Sequence, residues 1–295
     1  MVTTLNPAPL EPISDKDFVR FQQLIYEEAG IFLSPVKKAL LNGRLARRLR
    51  ELGLHRFGDY YQRIVEDRSG GELVLLLDAI ATNETQFFRE PRQFEYLEQI
   101  AYPVWEEAAA EGRRSRHIRI WSAACSSGEE PYSLAMSLLS RFPADRGWSI
   151  EILASDISTR VLARAEDGIW PVSRAAHIPE ALLKRYMLRG TGVHEGKMKA
   201  GAEVRAPLRF ARINLNDAHY PVSGQPDAIF CRNVLIYFNH ASRLRVIHRL
   251  LDMLAPGGLL FLGHAESLGG MSDRVRAVAP AVYQRLPDER RSARA

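Results

Sequence analysis

Apolar positions recur at helical spacing in the first third of the chain and in short runs after it. Ser14 to Gly30 carries Phe18, Phe21, Leu24 and Ile25 on one face, with Ser14 or Asp15 to cap the helix and Gly30 to end it. Ser34-Pro35 opens a second helix, since Ser suits the cap and Pro the first helical position, and Leu41, Leu45, Leu49 and Leu52 form its stripe. Shorter helices are predicted over 57–66 and 72–81, and a further helical segment over 92–110. From residue 118 the pattern changes to strands 118–123, 150–155, 208–213, 226–231 and 258–263, with a last strand within 277–286. Helices 130–141, 158–166 and 240–254 fall between them. Alternating β and α implies a largely parallel, doubly wound sheet whose ligands sit at the carboxyl ends of strands. An insert over about 170–206 breaks the alternation. Its Gly190, Gly192, Gly196 and Gly201 predict a small hairpin or three-stranded subdomain rather than a helix.

The expected organisation follows. Residues 1–13 and 288–295 are expected to be disordered and 14–90 to form a helical domain. Residues 91–117 then serve as a linker helix, and 118–287 form the α/β domain.

The stretch Ile118 to Leu139, IRIWSAACSSGEEPYSLAMSLL, reads as the opening strand, tight loop and helix of that α/β domain. Dinucleotide sites use G-x-G-x-x-G with phosphates at a helix N-terminus, but here only Gly128 is glycine and the helix starts with Glu129 and Glu130. Acids in a first turn suit the helix dipole, so capping is their plain reading. They also repel phosphate and attract cations. Such a loop points to a positively charged nucleoside ligand, of which S-adenosylmethionine is the obvious one. Asp156, Asn214, Arg232 and Asn233 all fall at strand ends, with Asp156 where related folds bind ribose hydroxyls. Upstream, the polar run Asn83-Glu84-Thr85-Gln86 meets Phe87, Phe88 and Arg89. It reads either as a capped helix start with two core aromatics or as a loop folding polar groups over a ligand.

Composition narrows the setting. The 295-residue chain is 46% apolar and 25% charged, which suits a soluble globular protein in one large or two modest domains. No run approaches the ~20 apolar residues of a membrane span, and the N-terminus lacks a signal pattern. Cys125 and Cys231 form no disulfide framework or metal spacing, and packed, reduced thiols in a cytoplasmic protein are expected. Scattered histidines and the absence of H-E-x-x-H, G-x-x-x-x-G-K-[ST] and G-x-S-x-G leave no metal site and no hydrolase or P-loop chemistry. The net charge of +5 is concentrated on the second helix, where Lys37, Lys38, Arg44, Arg47, Arg48 and Arg50 face one acid, Glu51. A solvated face is the plain reading. An acidic protein partner is favoured over nucleic acid, because few aromatics are interleaved for base stacking.

ATNETQFFRE, IRIWSAACSSGEEPYSLA, ILASDIS, FARINLND and DAIFCRNVLIYFN, in this order, resemble the chemotaxis receptor methyltransferases of the CheR type, over nearly all of residues 15–285. The resemblance implies a helical N-terminal domain and a Rossmann-like domain with an inserted β-subdomain. It implies S-adenosylmethionine-dependent O-methylation of glutamates on the cytoplasmic helical stalk of chemoreceptors. Motif matching carries cofactor contacts to Asn83, Thr85, Arg89, Glu130, Asp156, Asn214, Leu215, Arg232 and Asn233, and leaves Glu129 the capping role. Arg89 and Tyr237 are carried over as lining the methyl-transfer site, although a surface salt bridge and a packed Tyr are what their spacing alone would favour. Arg44, Arg47, Arg48 and Arg50 resemble the family's receptor-docking element, and the insert resembles the subdomain that in some members binds a receptor's C-terminal peptide. A monomer is expected. A methyl acceptor that is a carboxylate needs no general base, since Glu with a pKa of about 4.3 is ionised at neutral pH. Alignment and desolvation then carry the catalysis. A non-catalytic cofactor-binding adaptor and a nucleic-acid methyltransferase are the competing readings.

Overall fold

The computed structural model describes residues 10–270 and 272–287. Of the segments expected to be disordered, residues 1–9 and 288–295 lie outside the described residues. Residues 10–13 are ordered by packing instead. Ile13 is buried, its N–H donates to Asn42 Oδ1 at 3.0 Å, and Glu11 N donates to His55 O at 3.0 Å. By packing, the chain separates into two units. One runs to Thr82 and includes Tyr237–Asn239; the other takes Asn83–Ile236 and the chain from His240 onward.

The helical unit is built from α1 (Asp15–Ala29), α2 (Lys38–Glu51), α3 (Phe57–Glu66) and α4 (Gly71–Ile80). Ser14 caps α1 by accepting from Asp17 N at 3.0 Å, and Gly30 ends it in the left-handed conformation, φ 69°. The expected cap at Ser34 does not form. Pro35–Lys37 makes a 3₁₀ turn, closed by Lys37 N on Ser34 O at 2.9 Å, and α2 starts one turn later. Phe21, Ile25, Leu41, Leu45, Leu49, Tyr60 and Leu76 interlock as the core of this unit. Tyr237–Asn239 joins it through an Ile31–Phe238 bridge, Phe32 N on Tyr237 O at 2.8 Å and Asn239 Nδ2 on the Tyr26 hydroxyl at 3.0 Å.

In the second unit, the segment from Pro91 to Ala110 is not a free linker. It runs as α5 (Pro91–Tyr96), a π-helical turn over Leu97–Ala101, and α6 (Tyr102–Ala110). Pro103 has no N–H to donate, and the helix widens just before it, with Tyr102 N bonding back to Leu97 O. Phe94, Leu97, Tyr102 and Trp105 lie in the main core, which is why this segment belongs to the α/β unit.

The remaining strands are β1 (His117–Ala123), β2 (Ser149–Asp156), β3 (Ile169–Pro171), β4 (Met187–Arg189), β5 (Lys197–Ala200), β6 (Leu208–Arg212), β7 (Ala228–Cys231), β8 (Leu259–Leu262), β9 (Val275–Ala279) and β10 (Val282–Arg285). The helices between them are α7 (Glu129–Arg141), α8 (Thr159–Asp167), α9 (Glu180–Tyr186), α10 (Ala202–Arg205) and α11 (His240–Met253). The large sheet has the order β6-β2-β1-β7-β8-β10-β9, and its first five strands are parallel. The last expected strand is two, paired antiparallel as a hairpin. Strand order reverses at β1, which pairs with β2 on one side and β7 on the other, opening a crevice at its carboxyl end. The insert forms a three-stranded sheet, β3-β5-β4. Contrary to the expectation of no helix, it also carries α9, because Leu182, Leu183 and Tyr186 fall at helical spacing and pack on the core. No helix among the described residues is long and apolar enough to cross a membrane.

The basic residues of α2 divide by what they touch. Arg44 donates to Ile80 O and to Thr82 Oγ1, closing the end of α4. Arg48 pairs with Glu72, which is buried, and with Glu51. Arg47 reaches only Glu51 among its ion pairs, and its side chain is 84% exposed. Removing Arg48 leaves a buried carboxylate with the longer 3.6 Å contact from Arg63. Arg48→Ala is therefore expected to cost about 2 kcal/mol of unfolding free energy. Arg47→Ala should stay within about 0.5 kcal/mol of wild type. Urea denaturation of both variants checks the contrast.

Candidate functional site

The loop after β1 is tied down by main-chain bonds. Ala124 N and Cys125 N both donate to Ser155 O at 2.8 Å, so the loop is fastened to the end of β2. Ala124, Ser126 and Gly128 take left-handed φ values of 74°, 51° and 96°. Gly128 is required by packing rather than by a ligand phosphate, since a Cβ there would lie 2.9 Å from Ala165 Cβ on α8. Ser126 N donates to Asp156 Oδ2 at 2.9 Å and Ser158 N to Oδ1 at 3.0 Å, which fixes the Asp156 carboxylate at the end of β2.

The two acids that open α7 are both buried. Glu129 accepts from Ser127 Oγ at 2.7 Å, a local bond in the first turn. Glu130 accepts from Ser122 Oγ at 2.6 Å and from Arg232 Nε at 2.6 Å. The side chain of Arg232 is only 2% exposed. Its Nη1 donates to Arg89 O at 2.7 Å and Gln93 Oε1 at 3.1 Å and lies 3.5 Å from Glu90 Oε2. Taking a guanidinium out of water is tolerable only with this degree of pairing. The pair locks the carboxyl end of β7 to the start of α7 and to the turn before α5.

Asn233, the next residue, adopts φ 58°. Its N–H donates to Glu266 Oε2 at 2.8 Å, and its Nδ2 lies 3.5 Å from Glu90 Oε1. Gly263, at the end of β8, leaves room for that amide, because a Cβ there would sit 2.4 Å from Asn233 Nδ2. Phe88, Glu90, Ala124, Ser126 and Asn233 are five of the six non-glycine residues with positive φ among those described. Backbone strain is thus concentrated around one place, as is usual for ligand sites.

The segment 83–90 is a loop rather than a helix start. Asn83 O accepts from Ser126 Oγ at 3.0 Å, Thr85 O accepts from Arg174 at 2.8 Å, and Arg89 Nη1 donates to Glu84 O at 3.0 Å. Phe87 is buried edge-on against Trp170 with ring centroids 5.0 Å apart. Asn214 Oδ1 accepts from Asn216 N at 3.0 Å, and the buried Leu215 offers its carbonyl to the Tyr220 hydroxyl at 2.7 Å. Hydrogen bonds thus connect the loop 83–90 to the loop after β1 and to the end of β7, while Asn214 and Leu215 follow β6. Tyr237 packs in the helical unit, with Lys37 Nζ 5.7 Å from its ring centroid. Arg44, Arg47, Arg48 and Arg50 all lie on α2 in that unit.

Carboxylates predominate around the buried guanidinium. The cysteines register this. Burial pushes the Cys125 thiol well above its usual range, and the charges of Asp156, Glu130 and Glu129 push it further. Burial, then Glu266 and Glu130, do the same to Cys231. Both thiols are free, buried and protonated, and neither is a nucleophile at neutral pH. No cluster suited to a metal ion occurs among the described residues. Sequence reasoning missed Glu90, Gln93 and Glu266. Glu266 lies just past β8 in Gly-His-Ala-Glu, so applying the strand-end criterion to that strand would have found it.

Comparison with known proteins is consistent across residues 16–283. Residues 83–283 match the family described as CheR methyltransferase, SAM binding domain, and residues 16–81 match the CheR methyltransferase, all-alpha domain. The chain is 41% identical over 263 residues to a chemotaxis protein methyltransferase of Klebsiella aerogenes, covering 88% of this chain and 86% of that one. It is 41% identical to chemotaxis protein methyltransferase 2 of Pseudomonas aeruginosa, over 91% of this chain and 92% of that one. For the chemotaxis protein methyltransferase of Escherichia coli K12 the identity is 40%, over 92% and 91%.

The ion pair makes a direct prediction. Arg232→Met leaves Glu130 buried without its cation and is expected to lower the unfolding free energy by about 3 kcal/mol. Adding Glu130→Met should recover part of that loss, because the uncompensated charge goes with it. A double-mutant cycle in urea measures both.

Proposed function

Since this chain belongs to the CheR methyltransferase family, we propose that it is a protein-glutamate O-methyltransferase, acting on glutamates of the cytoplasmic helical stalk of chemoreceptors. S-adenosylmethionine, the donor of this family, supplies an electrophilic methyl group on a sulfonium. The residues present fit that group. The loop Ala124–Gly128 is built of small side chains, so a nucleoside can approach its backbone, and Asp156 stands where ribose hydroxyls are bound. The observation that carries the reading is the carboxylate-rich strand-end site organised by the buried Arg232–Glu130 pair. Such a site disfavours a pyrophosphate and suits a cation.

In this reading Asn83, Thr85, Arg89, Glu130, Asp156, Asn214, Leu215, Arg232 and Asn233 form the cofactor site. Glu130 and Arg232 do so mainly by shaping it, since each is engaged with the other. Motif matching assigns Arg89 and Tyr237, each in its own unit, to the acceptor carboxylate. That carboxylate is already ionised at neutral pH, so the protein's part is to align and desolvate it rather than to remove a proton. Arg47 and Arg50, exposed on α2, are the docking residues proper, while Arg44 and Arg48 hold the helix in place. The edges of the small sheet, β3 and β4, would take a receptor's C-terminal peptide by strand addition.

Incubation with methyl-labelled S-adenosylmethionine and receptor cytoplasmic fragments is expected to place label on the receptor as an alkali-labile ester. Alkali-stable label, as from N-methylation, contradicts the proposal. Reversing the two exposed docking charges, Arg47→Glu with Arg50→Glu, should weaken receptor methylation by about tenfold, increasingly so at low salt. Affinity for S-adenosylhomocysteine should be unchanged in that variant. Loss of both would assign α2 a different role.

A further inference from the structure

Glu266 is only 3% exposed, yet no residue of the proposed cofactor set includes it. Its carboxylate is held by three main-chain donors from two strand ends. Oε2 accepts from Gly263 N at 2.7 Å and Asn233 N at 2.8 Å, and Oε1 accepts from Ile236 N at 3.2 Å. A second bond, Glu266 N on Gly263 O at 2.8 Å, closes the turn that carries it. The carboxylate therefore staples the end of β8 to the segment following β7. That segment begins with Arg232 and Asn233 and reaches Ile236, immediately before Tyr237.

We propose that Glu266 is a positioning residue for methyl transfer, setting separately the Asn233 amide through Oε2 and the turn at Ile236 through Oε1. The proposal rests on the cofactor role of Asn233 given above. The reasoning is steric and electrostatic. Asn233 stands at φ 58°, a conformation that a non-glycine residue keeps only when its surroundings over-determine it. Gly263 bounds its side chain from beneath, where a Cβ would lie 2.9 Å from Asn233 N as well as against the amide. Glu266 bounds its N–H, and Glu90 lies 3.5 Å from Nδ2. Of these, only the Glu266 carboxylate also reaches Ile236. A buried carboxylate with both oxygens engaged by N–H groups couples the two strand ends.

The two oxygens give the test its resolution. In Glu266→Gln, the amide oxygen is expected to face the two donors that Oε2 now takes. The amide nitrogen then faces Ile236 N–H, which loses its acceptor. Glu266→Ala removes both. Calorimetry with S-adenosylhomocysteine should find the Gln variant within about twofold of wild type and the Ala variant weaker by about tenfold or more. Receptor methylation by the Gln variant should fall about tenfold in kcat. Amide hydrogen exchange should show Ile236 faster in the Gln variant while Asn233 keeps its protection. Wild-type affinity and kcat in the Gln variant overturn the proposal. So does a Gln variant that loses affinity and kcat in equal measure, or exchanges at both amides alike, since that is general loosening. If the Ala variant does not fold, the Gln variant decides alone. Should wild-type protein bind S-adenosylhomocysteine but methylate no receptor fragment, the proposed function fails. The exchange and affinity measurements still judge Glu266.

Discussion

Arg232 and Glu130 meet 2.6 Å apart in a place that water barely reaches, and much of the α/β unit is arranged around that contact. A lone guanidinium or carboxylate there would cost several kcal/mol, so the fold must bring the end of β7 and the start of α7 together or leave one charge stranded. The same guanidinium reaches the carbonyl of Arg89 and the side chain of Gln93. One cation thus fixes three separate stretches of chain: the turn before α5, the first turn of α7 and the end of β7. Of the residues proposed to hold the cofactor, Arg89, Glu130, Arg232 and Asn233 lie on those stretches.

Neighbouring contacts explain why the loop after β1 differs from a dinucleotide loop. A phosphate site needs exposed N–H groups and glycines that let the backbone curl around an anion. Here Ser126 N–H is given to the Asp156 carboxylate, and the helix opens on buried acids. Left-handed φ values are still needed, and Ala124 and Ser126 supply two of them at a conformational cost that Gly would not carry. Gly128 survives for a reason unrelated to the ligand, the close approach of α7 to α8 at Ala165. Close backbone approach without an anion cradle is what a cationic, phosphate-free cofactor requires.

The large-scale fold was legible because it rests on local signals. The strands from residue 118 onward are short apolar runs ended by polar residues, and α1, α3 and α4 show their stripes directly. Where tertiary partners decide, the sequence was less informative. Arg44 and Arg47 sit one turn apart in one basic run, yet Arg44 is fixed to the end of α4 while Arg47 stays in solvent. Residues 91–117 read in the sequence as a linker helix because the apolar positions there have no visible partner, and that partner is the core of the α/β unit. At the candidate site, the strand-end residues Asp156, Asn214, Arg232 and Asn233 were visible from their position. Glu266 follows β8 and falls under the same criterion, whereas Glu90 follows no strand, and nothing local distinguishes it from a carboxylate that faces water. The polar run at Asn83 to Arg89 was visible as one of two readings, and only family resemblance assigns cofactor contacts to Asn83, Thr85, Arg89 and Leu215.

The central claim is that this strand-end site is electrostatically built for an adenosyl sulfonium rather than for a phosphorylated nucleotide. Calorimetric titration of the protein with S-adenosylmethionine, and separately with ATP, tests it most directly because both share the adenosine. The account predicts saturable binding of S-adenosylmethionine and no measurable binding of ATP at the same concentrations. ATP binding of comparable strength would contradict it.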